Sequence, residues 1–144
     1  MPSRDATTHW TGGISKGSGH VTLDSSNAGQ FDVSFPTRSG DPNGQTSPEE
    51  LIAAAHSSCL AMNLSGVLEK EGLDPTSIDV SAEVTLGPAE GGGFELSGIA
   101  ITLRAQVAGV DADKFAELAR TAERTCPVSK ALTGTTITLD AALD

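Results

Sequence analysis

The sequence predicts an α+β domain spanning residues 1–144, and three observations carry that reading. Short runs of alternating apolar and polar residues recur on both sides of a single long, nearly uncharged helical segment. That segment opens on a complete helix-start signal, Ser47-Pro48-Glu49-Glu50. The strands cluster in groups of three and two instead of alternating singly with helices, giving the order β-β-β-α-β-β-α-β rather than a doubly wound α/β pattern.

Element by element, Thr7 to Leu23 reads as a hairpin, with Gly17-Ser18-Gly19 supplying turn residues, and Phe31, Val33 and Phe35 alternate as a third strand. Pro36 to Thr46 reads as a loop, rich in proline and glycine. Ser47 then serves as N-cap, Pro48 takes the first helical position, and Glu50 is placed to close a capping box. The helix runs to about Glu71, with Gly72 as its stop, a length of about 36 Å. Its middle, Leu51 to Leu68, is almost free of charge, which calls for burial on several sides, most readily against a partner subunit. Ile78 to Leu86 and Ile99 to Val107 alternate as a second hairpin around Glu90-Gly91-Gly92-Gly93. Asp111 caps a shorter helix with Phe115, Leu118, Ala119 and Ala122 on its inner face, Cys126-Pro127 interrupts it, and Thr135 to Ala141 forms a last strand.

Composition narrows the function. Nineteen acidic against nine basic residues give a net charge of -10, a surface that repels phosphate backbones and anionic lipid and argues against nucleic-acid or membrane-surface roles. No run approaches about 18 consecutive apolar residues, so no spanning helix is expected. Met1 to Trp10 carries no charged-then-apolar leader, which makes the cytoplasm the expected compartment.

Two cysteines, Cys59 and Cys126, stand 67 positions apart, which excludes Cys-x-x-Cys sites and leaves either two independent buried thiols or a pair assembled by the fold. Cys59 lies in the middle of the long helix, where a free cysteine commonly serves as a small core residue. With an unperturbed pKa of about 8.5, only about 3% would be thiolate at pH 7, so a reactive Cys59 needs a cation from elsewhere. Arg38, fixed behind Pro36 at the mouth of the loop, is the natural candidate, although a surface arginine is the plain alternative. Glu49 is free to hold Arg38, whereas Glu50 is reserved for the cap. Ten helical residues span about 15 Å, so Glu49 cannot reach Cys59 of its own helix; a two-fold related antiparallel helix would bring one subunit's Glu49 near the other's Cys59. His56, one turn before Cys59, makes a metal site conceivable, but no second ligand pair is visible and a packing role is simpler. Cys126, ahead of Pro127, sits either at a new helix start that favours a thiolate or in the C-terminal core.

Taken together, Ser47-Pro48-Glu49-Glu50-Leu51-Ile52-Ala53-Ala54-Ala55-His56-Ser57-Ser58-Cys59 and Cys126-Pro127-Val128-Ser129 resemble the OsmC/Ohr family of bacterial thiol peroxidases, over nearly the whole chain. The resemblance implies an intertwined homodimer in which antiparallel sheets wrap long central helices. It also implies a cytoplasmic, stress-response antioxidant enzyme that reduces organic hydroperoxides, and hydrogen peroxide less well, without metal, flavin or haem. Cys59 matches the peroxidatic and Cys126 the resolving cysteine, joined as a disulfide during turnover; Arg38 and Glu49 match the activating arginine and the acid that orients it. The Ohr branch carries its arginine in the first hairpin, where this chain has Lys16, and this departure places the chain with the OsmC branch. An external dithiol, in the family typically a lipoylated protein, restores the reduced pair. An apolar channel beside Phe35, Leu51, Leu60 and Met62 is expected to favour alkyl substrates. The alternative is a non-enzymatic dimer that binds a small apolar molecule, its cysteines inert.

Overall fold

The structure, a computed structural model, describes all of residues 1–144 and divides into two compact units, Met1–Leu51 and Ile52–Asp144.

In the first unit, β1 (Thr7–Thr11), β2 (Ser18–Thr22) and β3 (Gln30–Val33) form an antiparallel meander. The first turn lies at residues 12–17 instead of at the expected Gly17-Ser18-Gly19, because Gly12 takes a positive φ of 85° and Gly17 N–H closes on Gly13 O. Gly19 is thereby released into β2, where a side chain would meet the Trp10 ring at 2.8 Å. Phe35 leaves the third strand for a short helix, α1 (Phe35–Ser39), inside the expected loop. Ser34 caps it by accepting from Thr37 N–H, and Pro36 suits its first turn.

The long helix, α2 (Pro48–Lys70), begins and ends as its sequence indicates: Ser47 Oγ accepts from Glu50 N–H at 3.1 Å, and Gly72 follows with a φ of 74°. The capping box is only half formed, since the Glu50 carboxylate accepts from the Thr46 hydroxyl at 2.6 Å. Contrary to the expectation drawn from consecutive apolar residues, α2 is long and apolar enough to cross a membrane by length and composition. Core helices share that property, and one stripe of α2, His56, Leu60, Leu64 and Leu68 at four-residue spacing, is completely buried.

That stripe belongs to the core of the second unit. β4 (Pro75–Pro88) and β5 (Phe94–Val107) pair antiparallel around a turn in which Gly91, Gly92 and Gly93 all have positive φ. Ile99, Ile101, Leu103, Ala105 and Val107 turn one face of β5 into the core, each larger one worth about 1.5–3 kcal/mol in burial. Helix α3 (Ala112–Thr125), capped by Asp111 accepting from Lys114 N–H at 2.8 Å, buries Phe115, Leu118, Ala119 and Ala122 as its spacing predicts. The short α4 (Pro127–Ala131) follows, and β6 (Ile137–Leu143) returns alongside β5. This last strand runs parallel to β5, with Ile101 opposite Leu139, so the second sheet is mixed while the first is wholly antiparallel. The helical crossover through α3 and α4 is what permits a parallel return.

Candidate active site

Within the first unit, Arg38 and Glu49 meet as the sequence expects. Helix α1 directs Arg38 toward the first turn of α2, where Nη2 donates to Glu49 Oε1 at 2.6 Å and Nε donates to both carboxylate oxygens at 3.1 Å. Glu49 is buried at 7% exposure. Burial alone would push its carboxyl up, but the hydrogen bonds from Arg38, its own backbone N–H and the nearby positive charge hold it below the usual carboxylate range. The hydrogen bond to Glu49 in turn raises the guanidinium further above its ordinary value, so Arg38 stays a cation with donors held in one orientation.

The guanidinium borders a cavity of about 350 Å³ whose wall is apolar: Trp10, Ile14, Val21, Val33, Phe35 and Leu51. Phe35 and Leu51 are thus where the expected channel put them. Leu60 and Met62 are not: Leu60 is fully buried in the second unit's core and Met62 is 70% exposed on α2. The missing walls come from the β1–β2 hairpin, whose side chains carry no short-range sequence link to Arg38. Lys16 lies exposed in the hairpin turn.

Within the second unit the two sulfurs come together. Cys126 Sγ lies 3.2 Å from Cys59 Sγ, both thiols free, so the pair reading of the cysteines holds over that of two independent buried thiols. Cys59 is partly exposed and Cys126 completely buried. Cys126 occupies the break between helices, with ψ of 123°: it ends α3, its N–H bonding Glu123 O, and begins α4. The residue before a proline is forced out of helical conformation, and this leaves the Cys126 sulfur standing at a break between two helices. Cys126 makes no side-chain hydrogen bond to the start of α4, and the polar groups of Val128 and Ser129 act on the sulfurs electrostatically.

These groups act on the two thiols differently. Burial pushes the Cys59 thiol up, the Val128 backbone only partly offsets it, and a charge on Cys126 adds to the rise. Burial acts on Cys126 in the same direction, but the polar groups of Ser129, Cys59 and Val128 outweigh it and bring that thiol down. With its thiol pushed up by burial, Cys59 still requires an outside cation.

Three groups that sequence reasoning passed over complete the arrangement. Ser129 is buried and lies 2.8 Å from His56 Nε2, so the two share a buried hydrogen bond. Asn63, one turn beyond Cys59, donates to Ala122 O at 2.6 Å and Thr125 Oγ1 at 2.8 Å, tying α2 to the end of α3 that precedes Cys126. Val128 contributes only its backbone N–H. Ser129 had a local signal, third in the turn after a capping position; Asn63 had none.

Comparison with known proteins adds an independent line. Residues 40–140 match the family model described as OsmC-like protein. The chain is 42% identical over 132 residues to Peroxiredoxin OsmC of Escherichia coli K12, covering 92% of this chain and 90% of that protein. Among solved structures, an organic hydroperoxide resistance protein from Elizabethkingia anophelis superposes with a TM-score of 0.79 at 30% identity, covering 100% of this chain and 98% of the other. The organic hydroperoxide resistance protein OhrB of Bacillus subtilis superposes with a TM-score of 0.72 at 29% identity, covering 95% and 97%.

Proposed function

This chain belongs to the OsmC family, and on that premise we propose how its residues carry out thiol-dependent reduction of organic hydroperoxides. Residues 1–144 act as one catalytic domain. Cys59 is the peroxidatic cysteine: its thiolate attacks the terminal peroxide oxygen, the O–O bond breaks, the alkoxide leaves as alcohol with a proton, and a sulfenic acid remains. Cys126 resolves it, forming the Cys59–Cys126 disulfide and releasing water. A dithiol reductant, a lipoylated protein in our reading, reopens the disulfide by exchange.

Arg38, oriented by Glu49, supplies the cation that Cys59 needs, and each pKa unit of lowering is worth about 1.4 kcal/mol. The catalytic unit in this proposal is a homodimer with composite sites, Arg38 and Glu49 of one subunit serving the partner subunit's Cys59. The near-absence of a core in residues 1–51 supports it: Val21 is the one buried hydrophobic side chain there. The apolar cavity beside Arg38 favours alkyl chains over hydrogen peroxide. The cytoplasm is the proposed location, where cellular thiols keep such a pair reduced between turnovers.

The 3.2 Å approach of the two sulfurs carries this reading, because a sulfenic acid on either one lies within reach of the other. Thiol titration tests it. One equivalent of cumene hydroperoxide is expected to remove both titratable thiols per chain, dithiothreitol to restore them, and Cys59→Ser to abolish consumption. Retention of both thiols after peroxide would leave the inert-cysteine binding protein as the better account.

A further inference from the structure

The geometry points to a clamp on the cysteine pair: hydrogen bonds from His56 to Ser129 and from Asn63 to Ala122 and Thr125 hold the break at Cys126 against α2 and fix the approach of its sulfur to Cys59. His56 and Asn63 are positioning residues, acting through the backbone that carries Cys126. The inference rests on the reading of Cys59 and Cys126 as a peroxidatic and resolving pair, and adds to it what sets their distance.

His56, Cys59 and Asn63 follow one another at spacings of three and four residues, so they share one face of α2. Their partners come in the reverse order along the chain: Ser129 in α4, Cys126 at the break, then Thr125 and Ala122 at the end of α3. The sulfur contact is therefore the middle rung between α2 and an antiparallel stretch, with a hydrogen-bonded rung about one turn to either side. A single rung leaves the break free to pivot; two rungs about 10 Å apart along α2 do not.

Asn63 fills a vacancy that the break itself creates. Cys126 N–H bonds Glu123 O at 3.2 Å, so the Ala122 carbonyl loses the N–H that would reach it in an uninterrupted helix. Asn63 Nδ2 donates there at 2.6 Å, closer than the Thr125 hydroxyl at 3.5 Å, and gives its second proton to Thr125 Oγ1 at 2.8 Å. A carbonyl only accepts, so this partner settles which way the amide faces. At the other end, His56 is fully buried, and the bond to Ser129 is the only one its ring makes, Nδ1 having no partner. Parting that rung would strand two buried polar groups, which makes it costly to open.

During resolution the Cys126 thiolate attacks the Cys59 sulfenic sulfur, the S–S bond forms, the S–O bond breaks, and hydroxide leaves as water with a proton from the medium. Cys126 sulfur is oxidised and Cys59 sulfur reduced to the disulfide level. The step is intramolecular, so its rate follows the fraction of time the sulfurs are held in contact. The rungs bias the dithiol and sulfenic forms toward that contact, whereas the disulfide enforces it covalently. Loss of a rung therefore slows closure and makes the disulfide easier to reduce, by about fivefold for one hydrogen bond.

Two readouts test the clamp. The loss of each thiol is followed after cumene hydroperoxide, with dimedone trapping the sulfenic acid, and the pair is separately equilibrated in glutathione buffers of graded oxidation. Asn63→Leu removes both donors at similar size, and His56→Leu continues the leucine stripe of α2. Each is expected to lower the ratio of second-thiol to first-thiol loss about fivefold, and the equilibrium constant for the disulfide by the same factor, or about 20 mV. His56→Gln, which returns a polar partner to Ser129, should stay within about twofold of the parent. Rungs that merely stabilise the fold would lower the melting temperature of Asn63→Leu and leave the ratio and the equilibrium constant at parent values, and that result overturns the clamp. Equal impairment of His56→Gln and His56→Leu overturns the rung at that end. Asn63 is only half-buried, so its variant decides even if His56→Leu does not fold. Failure of the resolving role reads out separately: a parent that keeps its second thiol after peroxide removes that role, while the glutathione equilibrium still measures the clamp. A pair that no glutathione ratio oxidises overturns both.

Discussion

Arg38 and Glu49 show how much one ion pair can do when one partner is buried. Three hydrogen bonds fix the guanidinium plane, a geometry that an ammonium on a flexible stem cannot reproduce. Arg38→Lys therefore keeps the charge and loses its direction, and peroxidase kcat/KM is expected to fall by about tenfold or more. Glu49→Gln tests the other side. Because the Glu49 carboxyl is held below its ordinary value in the folded protein, its contribution is fully present above that ordinary value and is lost as pH falls through the folded one. The variant should be less stable than the parent by about 1–3 kcal/mol at neutral pH, and the two unfolding curves should converge in acid below about pH 4. Parallel curves at all pH values would remove the ion pair as the cause. This pairing was legible in the sequence because Arg38 sits behind a rigid proline and Glu49 beside a helix cap, both local constraints. The contact between buried His56 and Ser129 was not, because it joins residues 73 apart and depends on which nitrogen of a buried ring finds a partner.

Among elements, the break at Cys126-Pro127 matters more for chemistry than its length suggests. Without Pro127, Cys126 is free to adopt helical ψ, α3 can run on into α4, and the Cys126 sulfur is carried round with the helix instead of standing at a break between two helices. Pro127→Ala is accordingly expected to slow disulfide formation severalfold, so that peroxide leaves a dimedone-reactive sulfenic acid on Cys59 before the second thiol disappears. Simultaneous loss of both thiols at the parent rate would show that the helix break has no part in resolution. The same scale separates what sequence patterning resolves from what it does not. The cap of α2, the inner face of α3 and the glycine turn at residues 91–93 were readable because their causes are local. Helix α1 was hidden in a glycine- and proline-rich stretch although Ser34 and Pro36 form an adequate helix start. The parallel direction of β6 has no local signature at all, since alternation is identical in either sense.

For the molecule as a whole, the uneven distribution of burial is the main physical fact. Residues 52–144 hold a continuous core, whereas residues 1–51 bury Val21 and the charged Glu49 and leave Trp10, Ile14 and Phe31 at 38%, 64% and 37% exposure. On α2, the face opposite the leucine stripe presents Ala54, Ala55, Ser58 and Met62 to the outside. A segment of 51 residues with so little buried apolar surface is not stable by itself, and small residues on a long apolar helix let another helix approach closely. A second copy of the chain is the occupant that answers both conditions, and it is the homodimer proposed above. If folding and dimerisation are one event, the melting temperature must rise with protein concentration, because the folded state is also the associated state. The fluorescence of Trp10, the chain's one tryptophan, should then report the same transition as far-UV circular dichroism, which is dominated by α2, α3 and the second sheet. Met62→Glu, placing charge on the outer face of α2, should lower the sedimentation mass toward the monomer and the melting temperature with it, while leaving the spacing of Leu60, Leu64 and Leu68 untouched. A monomeric sedimentation profile for the unsubstituted protein, with a melting temperature independent of concentration, would mean that residues 1–51 find their cover in some other way and that composite sites are the wrong description.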